Sequence, residues 1–219
     1  MKKIIIIGNS SYADTIRYYI ENDGQREVVA YAVEKEYLDA QTRNGLPLVD
    51  IDNIQDIYDA TEYSIIIGIG YKNMNKIRER LFYICIEKGY EIENFIHSTA
   101  IIDKNACIGK GNIILERVVV GPNCNIGDGN LIFIGSVLAH DDQVGNFNMF
   151  SVNVSIAGFV KIENNCFMGI NSTIKNGINV PSSVLVGASA YMSSEVMSGQ
   201  VLVPERSIVL KDKLSTDFI

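Results

Sequence analysis

Two rhythms of apolar and polar residues divide this chain. Over residues 1–94, apolar runs alternate with amphipathic stretches. Ile4–Ile7 is a continuous apolar run closed by Gly8, Val28–Val33 is a second, and Ser64–Gly70 ("SIIIGIG") a third. Between and after them, Tyr12–Glu21 and Lys72–Lys88 carry apolar residues at helical spacing, the latter with Ile77, Leu81, Ile84 and Cys85 on one face. Buried strands separated by helices predict a parallel α/β sheet of Rossmann-like type.

From residue 95 the period becomes six. Written in hexads from Phe95, the second position is apolar in seventeen successive units, from Ile96 through Leu138 and Ile156 to Met192, without one slip of phase. Chance alone would give such a run about once in 10⁵ trials or fewer at ordinary apolar content. The next position is often Gly, and the sixth is usually small or β-branched, as at Ala100, Cys124 and Val184. One large aliphatic and one small residue per six is the signature of a parallel β-helix, in which each hexad forms one flat side. Three sides close a coil of 18 residues, so residues i and i+18 stack at about the 4.8 Å strand spacing. The run predicts nearly six coils with no long loop between them. The organisation expected is therefore an α/β domain over 1–94 and a β-helix over 95–219.

Composition narrows the partners. Net charge is −7 and the sequence pI near 4.9, with no Lys/Arg run, which argues against nucleic acid and anionic membranes. An anionic small ligand is compatible, because a few local donors can hold a phosphate. The four cysteines are scattered with no CxxC, predicting reduced and mostly buried thiols. "MKKIIIIGNS" is too short in its apolar run for a leader, and no stretch approaches the roughly 20 apolar residues of a membrane span. A cytoplasmic protein is expected.

Candidate chemistry centres on "SVLAHDDQVG", residues 136–145, which holds His140, one of two histidines. The residues alone leave two readings: a solvated polar corner, or a general base of near-neutral pKa beside a carboxylate, Asp141, that favours its imidazolium. Coil arithmetic places Gly158, in "IAGFV", one coil above His140, where a residue without Cβ leaves its amide approachable. A zinc hydrolase on the same scaffold would need three histidine ligands, and His97 and His140 fall on different sides of the coil. No metal is expected.

The hexads, together with "SVLAHDDQVG", "SIAGFVKIENNCFMGINS" and "IIIIGNSSYA", resemble the left-handed β-helix (hexapeptide-repeat) acyltransferases. More narrowly they resemble the bacterial nucleotide-aminosugar N-acetyltransferases and the related sialic-acid O-acetyltransferase-like group. The resemblance, and not the periodicity, implies a left-handed coil, a homotrimer with active sites between neighbouring coils, and acetyl-CoA as co-substrate. It implies N-acetylation of a nucleotide-linked aminosugar, a 4-amino-4,6-dideoxy sugar, for surface-glycan biosynthesis, with O-acetylation by the same mechanism as the alternative. By the same resemblance His140 is the base, Asp141 raises its basicity, and the Gly158 amide serves the oxyanion. Met149, Gly158, Ile170 and Ala188 would line the acetyl-CoA path, and Asn176, stacked above Gly158, would lie along the pantetheine. Ser10, Ser11, Tyr12, Glu34 and Gly70 would hold the nucleotide-sugar. Three departures stand out: Ser11 replaces a glycine of the first turn, Phe133 replaces an asparagine near the reacting centre, and Pro204-Glu205-Arg206 replaces the usual tail.

Overall fold

The computed structural model describes residues 2–217. Its first layer is a six-stranded sheet. In chain order the strands are β1 (Lys2–Ile7), β2 (Arg26–Val33), β3 (Thr42–Arg43), β4 (Leu46–Asp50), β5 (Tyr63–Ile67) and β6 (Glu91–Ile92), and they lie in the order β3-β4-β2-β1-β5-β6. All pairings are parallel except β3 with β4. β1 is central, and all four isoleucines of its apolar run are fully buried. Helix α1 (Ser11–Asp23) starts at the N-cap Ser10 and ends at Gly24 in the left-handed conformation, the usual helix stop.

The expected elements of this layer are present, with shifted ends. β5 stops at Ile67, and Gly68 after it lies so close to Ile6 and Ala13 that a Cβ there would fall 2.8 and 3.0 Å from their side chains. Helix α2 spans Lys76–Glu87 and does not begin at residue 72: Asn73, Met74 and Asn75 have φ of 52°, 46° and 65°, a left-handed run that no helix accommodates. β3 and β6 are two-residue edge strands without an apolar run of their own, and β4, between β3 and β2, is interrupted by Pro47.

From Phe95–Ile96 to Tyr191–Met192 the chain makes seventeen two-residue strands at intervals of six. They stack into three parallel sheets in strict i, i+18 register, such as Val119↔Val137 and Val137↔Ser155. The first side runs through Phe95, Ile113, Leu131, Met149, Phe167 and Leu185, the second through Ile101, Val119, Val137, Ser155, Thr173 and Tyr191, and the third through Cys107, Asn125, Gln143, Lys161 and Asn179. The second residue of each strand points inward and forms one continuous core from Ile114 to Met192. Ile96, Ile102 and Ile108 are only half-buried, since no coil lies beneath them. After Met192 the phase breaks: the next strand is Val201–Leu202, paired to Leu185–Val186.

The corners explain the recurring small and polar residues. Between the third and first sides, Asn94, Asn112, Asn130 and Asn148 form a ladder. Each side-chain oxygen accepts the backbone N–H 18 residues on, at 2.7–2.9 Å. Each side-chain amide donates to the carbonyl 15 residues on, at 2.6–3.0 Å. Buried backbone groups at the turn are thereby satisfied.

The two layers share a core. The outward positions of the first side are apolar where the other sides are mixed, and Phe95, Ile113, Leu131 and Met149 pack in one cluster with Ile4, Ile6, Ile16, Ile20 and Tyr31. Arg78 of α2 pins the junction: its Nε donates to Gly129 O (2.9 Å), Nη2 to Asn148 O (3.1 Å), and Nη1 to Gly70 O (2.9 Å) and Asn75 Oδ1 (3.1 Å). It is 1 % exposed, and burial without a carboxylate partner lowers its pKa to about 10.

Candidate active site

His140 stands at the corner where the second side turns into the third, and its side chain is 48 % exposed. Its Nδ1 lies 2.9 Å from Asp141 Oδ2, and Asn123 Nδ2 donates to the other oxygen, Asp141 Oδ1, at 3.1 Å. These bonds to His140 and Asn123 hold the Asp141 carboxyl below its ordinary pKa. With the Nδ1 proton donated to Asp141, Nε2 is the ring's free acceptor. Phe159, one coil above Asp141, meets the imidazole edge-on at 5.1 Å. Asp141 and Phe159 sit at φ 57° and 61°, the left-handed turn that re-aims each corner.

The imidazole rests on Gly158. A Cβ there would fall 2.4 Å from His140 Cε1 and 2.5 Å from Nε2, so the contact requires glycine. Gly158 O accepts from Gly177 N at 3.1 Å, whereas its own N–H has no acceptor among the described residues. A proton acceptor and an unpaired amide donor therefore lie side by side, the minimum needed to take a proton from a nucleophile and to stabilise an oxyanion.

The residues expected to line an acyl-donor path divide between two edges of the coil. Asn176 is exposed directly above Gly158. Ile170, 49 % exposed, and Ala188 above it stand at the opposite edge of the second side, where the first side turns into it. Met149 is 2 % exposed in the interdomain core, so its side chain presents nothing to a ligand. One chain does not bring Ile170 and Ala188 to His140. Two grooves on the chain surface, one at the base of the domain junction around Arg26 and Lys110 and one along the third side around Gln143 and Lys161, also do not include His140.

The remaining expected residues gather at the C-terminal ends of β1, β2 and β5, the crevice where open α/β sheets bind ligands. Gly8 ends β1 at φ 118° against Gly68 O. Ser10 and Ser11 are exposed at the start of α1. Glu34 follows β2 and is held by both Arg80 nitrogens at 2.7 Å, which lowers its pKa. Gly70 follows β5 and has open space where a side chain would begin. Tyr12 stacks on Phe133 at 5.9 Å, and burial raises the pKa of its hydroxyl, which has no hydrogen-bond partner among the described residues. The atypical Phe133 of the coil is thus in contact with the expected sugar-binding Tyr12.

Sequence reasoning overlooked Asn123, Phe159, Arg78 and Arg80. The first two were within reach of the 18-residue step, at 141 − 18 and 141 + 18. The arginines carry no local pattern that marks them, since the partners that give them their roles, Gly129 and Asn148 for Arg78 and Glu34 for Arg80, lie 46 to 70 residues away on other elements.

Fold and site together are a Rossmann-like layer seated on a parallel β-helix that carries a histidine–carboxylate pair at a coil corner, and this fold is shared with a solved acetyltransferase domain. Residues 3–84 match the family described as PglD N-terminal domain. Among solved structures, the chain is similar to the acetyltransferase domain of PglB from Neisseria gonorrhoeae FA1090, with TM-score 0.81 and 20 % identity over 92 % of this chain and 96 % of that one. It is also similar to an alanine-for-histidine mutant of GDP-perosamine N-acetyltransferase from Caulobacter crescentus, in complex with CoA and GDP-perosamine. There the TM-score is 0.79 and the identity 20 %, over 91 % of this chain and 92 % of that one. WeeI from Acinetobacter baumannii AYE follows at TM-score 0.67 and 20 % identity, over 88 % and 94 % of the two chains. No curated protein matches the chain in sequence.

Proposed function

We propose that the protein is an acetyl-CoA-dependent N-acetyltransferase acting on a nucleotide-linked 4-amino-4,6-dideoxy sugar, in surface-glycan biosynthesis in the cytoplasm. Residues 1–94 form the nucleotide-sugar module and 95–219 the acyl-transfer module. The observation that carries the reading is the His140 ring held by Asp141 and resting on Gly158, beside an unpaired amide. The kinds of ligand bound by the similar N. gonorrhoeae and C. crescentus proteins, acetyl coenzyme A in one and CoA with GDP-perosamine in the other, support the choice of substrates.

In this mechanism the sugar amine attacks the thioester carbonyl while His140 Nε2 takes the amine proton. The Gly158 N–H donates to the tetrahedral oxyanion. The C–S bond then breaks, and the imidazolium returns its proton to the CoA sulfur, giving amide and free thiol. Asp141 keeps the ring oriented and stabilises the imidazolium. Ser10, Ser11, Tyr12, Glu34 and Gly70 hold the nucleotide-sugar, with the diphosphate at the start of α1. Acetyl-CoA runs past Asn176.

A homotrimer completes the path. The second side exposes β-branched and aromatic residues, with Ile101 64 %, Val137 37 % and Tyr191 59 % exposed. Both separated edges border this side. Cyclic packing across it sets the Ile170–Ala188 edge of one chain against the His140 edge of the next.

The test is a panel of UDP-, dTDP- and GDP-aminosugars with acetyl-CoA, read by release of CoA thiol. One member should turn over, and His140→Ala should slow it by about 10² or more. Undiminished turnover in that variant refutes the role of His140. Turnover with a sugar hydroxyl but with no amine reassigns the protein as an O-acetyltransferase.

A further inference from the structure

Asp142 has no part in the mechanism above, and its surroundings are unusual. It is fully buried at the corner between the second and third sides, in a column with Ala106, Cys124, Val160 and Ile178. Every other member of that column is apolar or a thiol. Asp142 Oδ1 accepts the Val160 N–H at 2.9 Å, and Oδ2 is buried with no hydrogen-bond partner among the described residues.

The asparagine ladder shows what this position would need if its task were only structural. At Asn112, Asn130 and Asn148 a neutral side chain accepts the amide 18 residues on and also donates to the carbonyl 15 residues on. An asparagine at 142 could do the same with the Val160 amide and the Ala157 carbonyl. A carboxylate makes only half of these bonds and leaves an oxygen orphaned in the core, an arrangement that costs stability. What it adds is a negative charge, two residues from His140 and inside the coil wall, where water screens it little.

We propose that Asp142 is a second carboxylate serving the histidine: a positioning residue that ties the His140 turn to the coil carrying Gly158 and stabilises the imidazolium formed during transfer. The inference rests on the reading of His140 as the base. Asp141, at the surface, orients the ring, and Asp142 acts on it through the field and through the backbone between Ala139 and Val160. The titratable groups facing Asp142 are His140 and Asp141 on its own turn and Cys124 one coil below, while the coil above presents Val160. Burial raises the Asp142 carboxyl to about 6, with the Val160 and Ala139 amides opposing the rise, so the charge is present at neutral pH.

Asp142→Asn keeps the shape and the bond to Val160, removes the charge and adds a donor for the Ala157 carbonyl. In the intact protein, histidine NMR titration reads two rings, with His97 as the internal reference. The His140 signals of the variant should titrate about half a pH unit or more below those of the wild type, with His97 unmoved. Identical His140 titrations in the two proteins overturn the proposal. With the acceptor found in the panel, the acid limb of kcat/KM should move to lower pH and the plateau should fall several-fold, while the KM for acetyl-CoA holds. An unchanged pH profile also overturns it. If no acceptor turns over, the assigned reaction fails, and the NMR comparison still decides whether Asp142 acts on His140.

Discussion

At the scale of single residues, the site depends on one missing methyl group. Gly158 lets the imidazole lie against the coil, and a Cβ 2.4 Å from the ring must push it off Asp141 or off the corner. Gly158→Ala is expected to lower kcat by about 10², with the circular dichroism of the coil retained, because the proposed donor and base lose their mutual placement. A variant with wild-type kcat would show that the contact is incidental. Asp142 makes a prediction of opposite sign for stability. Its carboxyl has a folded value of about 6, above the ordinary 3.8. The folded state therefore binds the proton more tightly, and stability falls as pH rises between those values. Asp142→Asn should raise the melting temperature at pH 7, by the equivalent of about 1–3 kcal/mol, and leave it unchanged near pH 3.5. Thermal melts at the two pH values check the sign.

Elements show how far the sequence could be read. The seventeen coil strands were legible because each hexad carries its own signal, and stacking repeats one geometry. The first layer was legible where β1, β2 and β5 are buried on both faces. It was not legible at the short edge strands, nor at Asn73–Asn75, a left-handed run that ends on a contact with the coil, Asn75 Nδ2 donating to Cys166 O at 3.1 Å. One readable signal went unused. Phe95, Ile113, Leu131, Met149, Phe167 and Leu185 recur every 18 residues at outward positions, and an apolar outward column implies a covering layer. At the site, His140, Asp141 and Gly158 lay within reach of motif and coil arithmetic, whereas Arg78 depends on tertiary contacts alone. Two variants measure what the elements contribute. Asn130→Val removes one rung, leaving Asn148 N–H and Gly145 O without their partners, and should cost about 2–4 kcal/mol in denaturant unfolding. Arg78→Met removes the donor to four acceptors, of which Asn148 O alone keeps another among the described residues, the Leu131 N–H, and should cost about 3–5 kcal/mol. It should also raise the KM for the nucleotide-sugar more than that for acetyl-CoA, since Gly70 is one of the four.

For the whole molecule, the question is what covers the second side. Its exposed stripe borders both halves of the proposed acetyl-CoA path, so assembly and activity should fail together. Val137→Glu, at the middle of that stripe, is expected to give monomers by analytical ultracentrifugation and to lose at least 10²-fold in turnover while the coil stays folded. Active monomers would exclude a shared site. The unbroken phase from Phe95 to Met192 carries a different consequence. The coil is a ruler with one graduation, a step of 18 residues and about 4.8 Å. An insertion of 18 residues lengthens it by one step and returns every side chain to its own face. An insertion of 17 or 19 turns the inward row outward from that point on. The span between the corner that holds His140 and either end of the coil can therefore change only in whole steps, and length variants of this protein should be viable one full coil at a time.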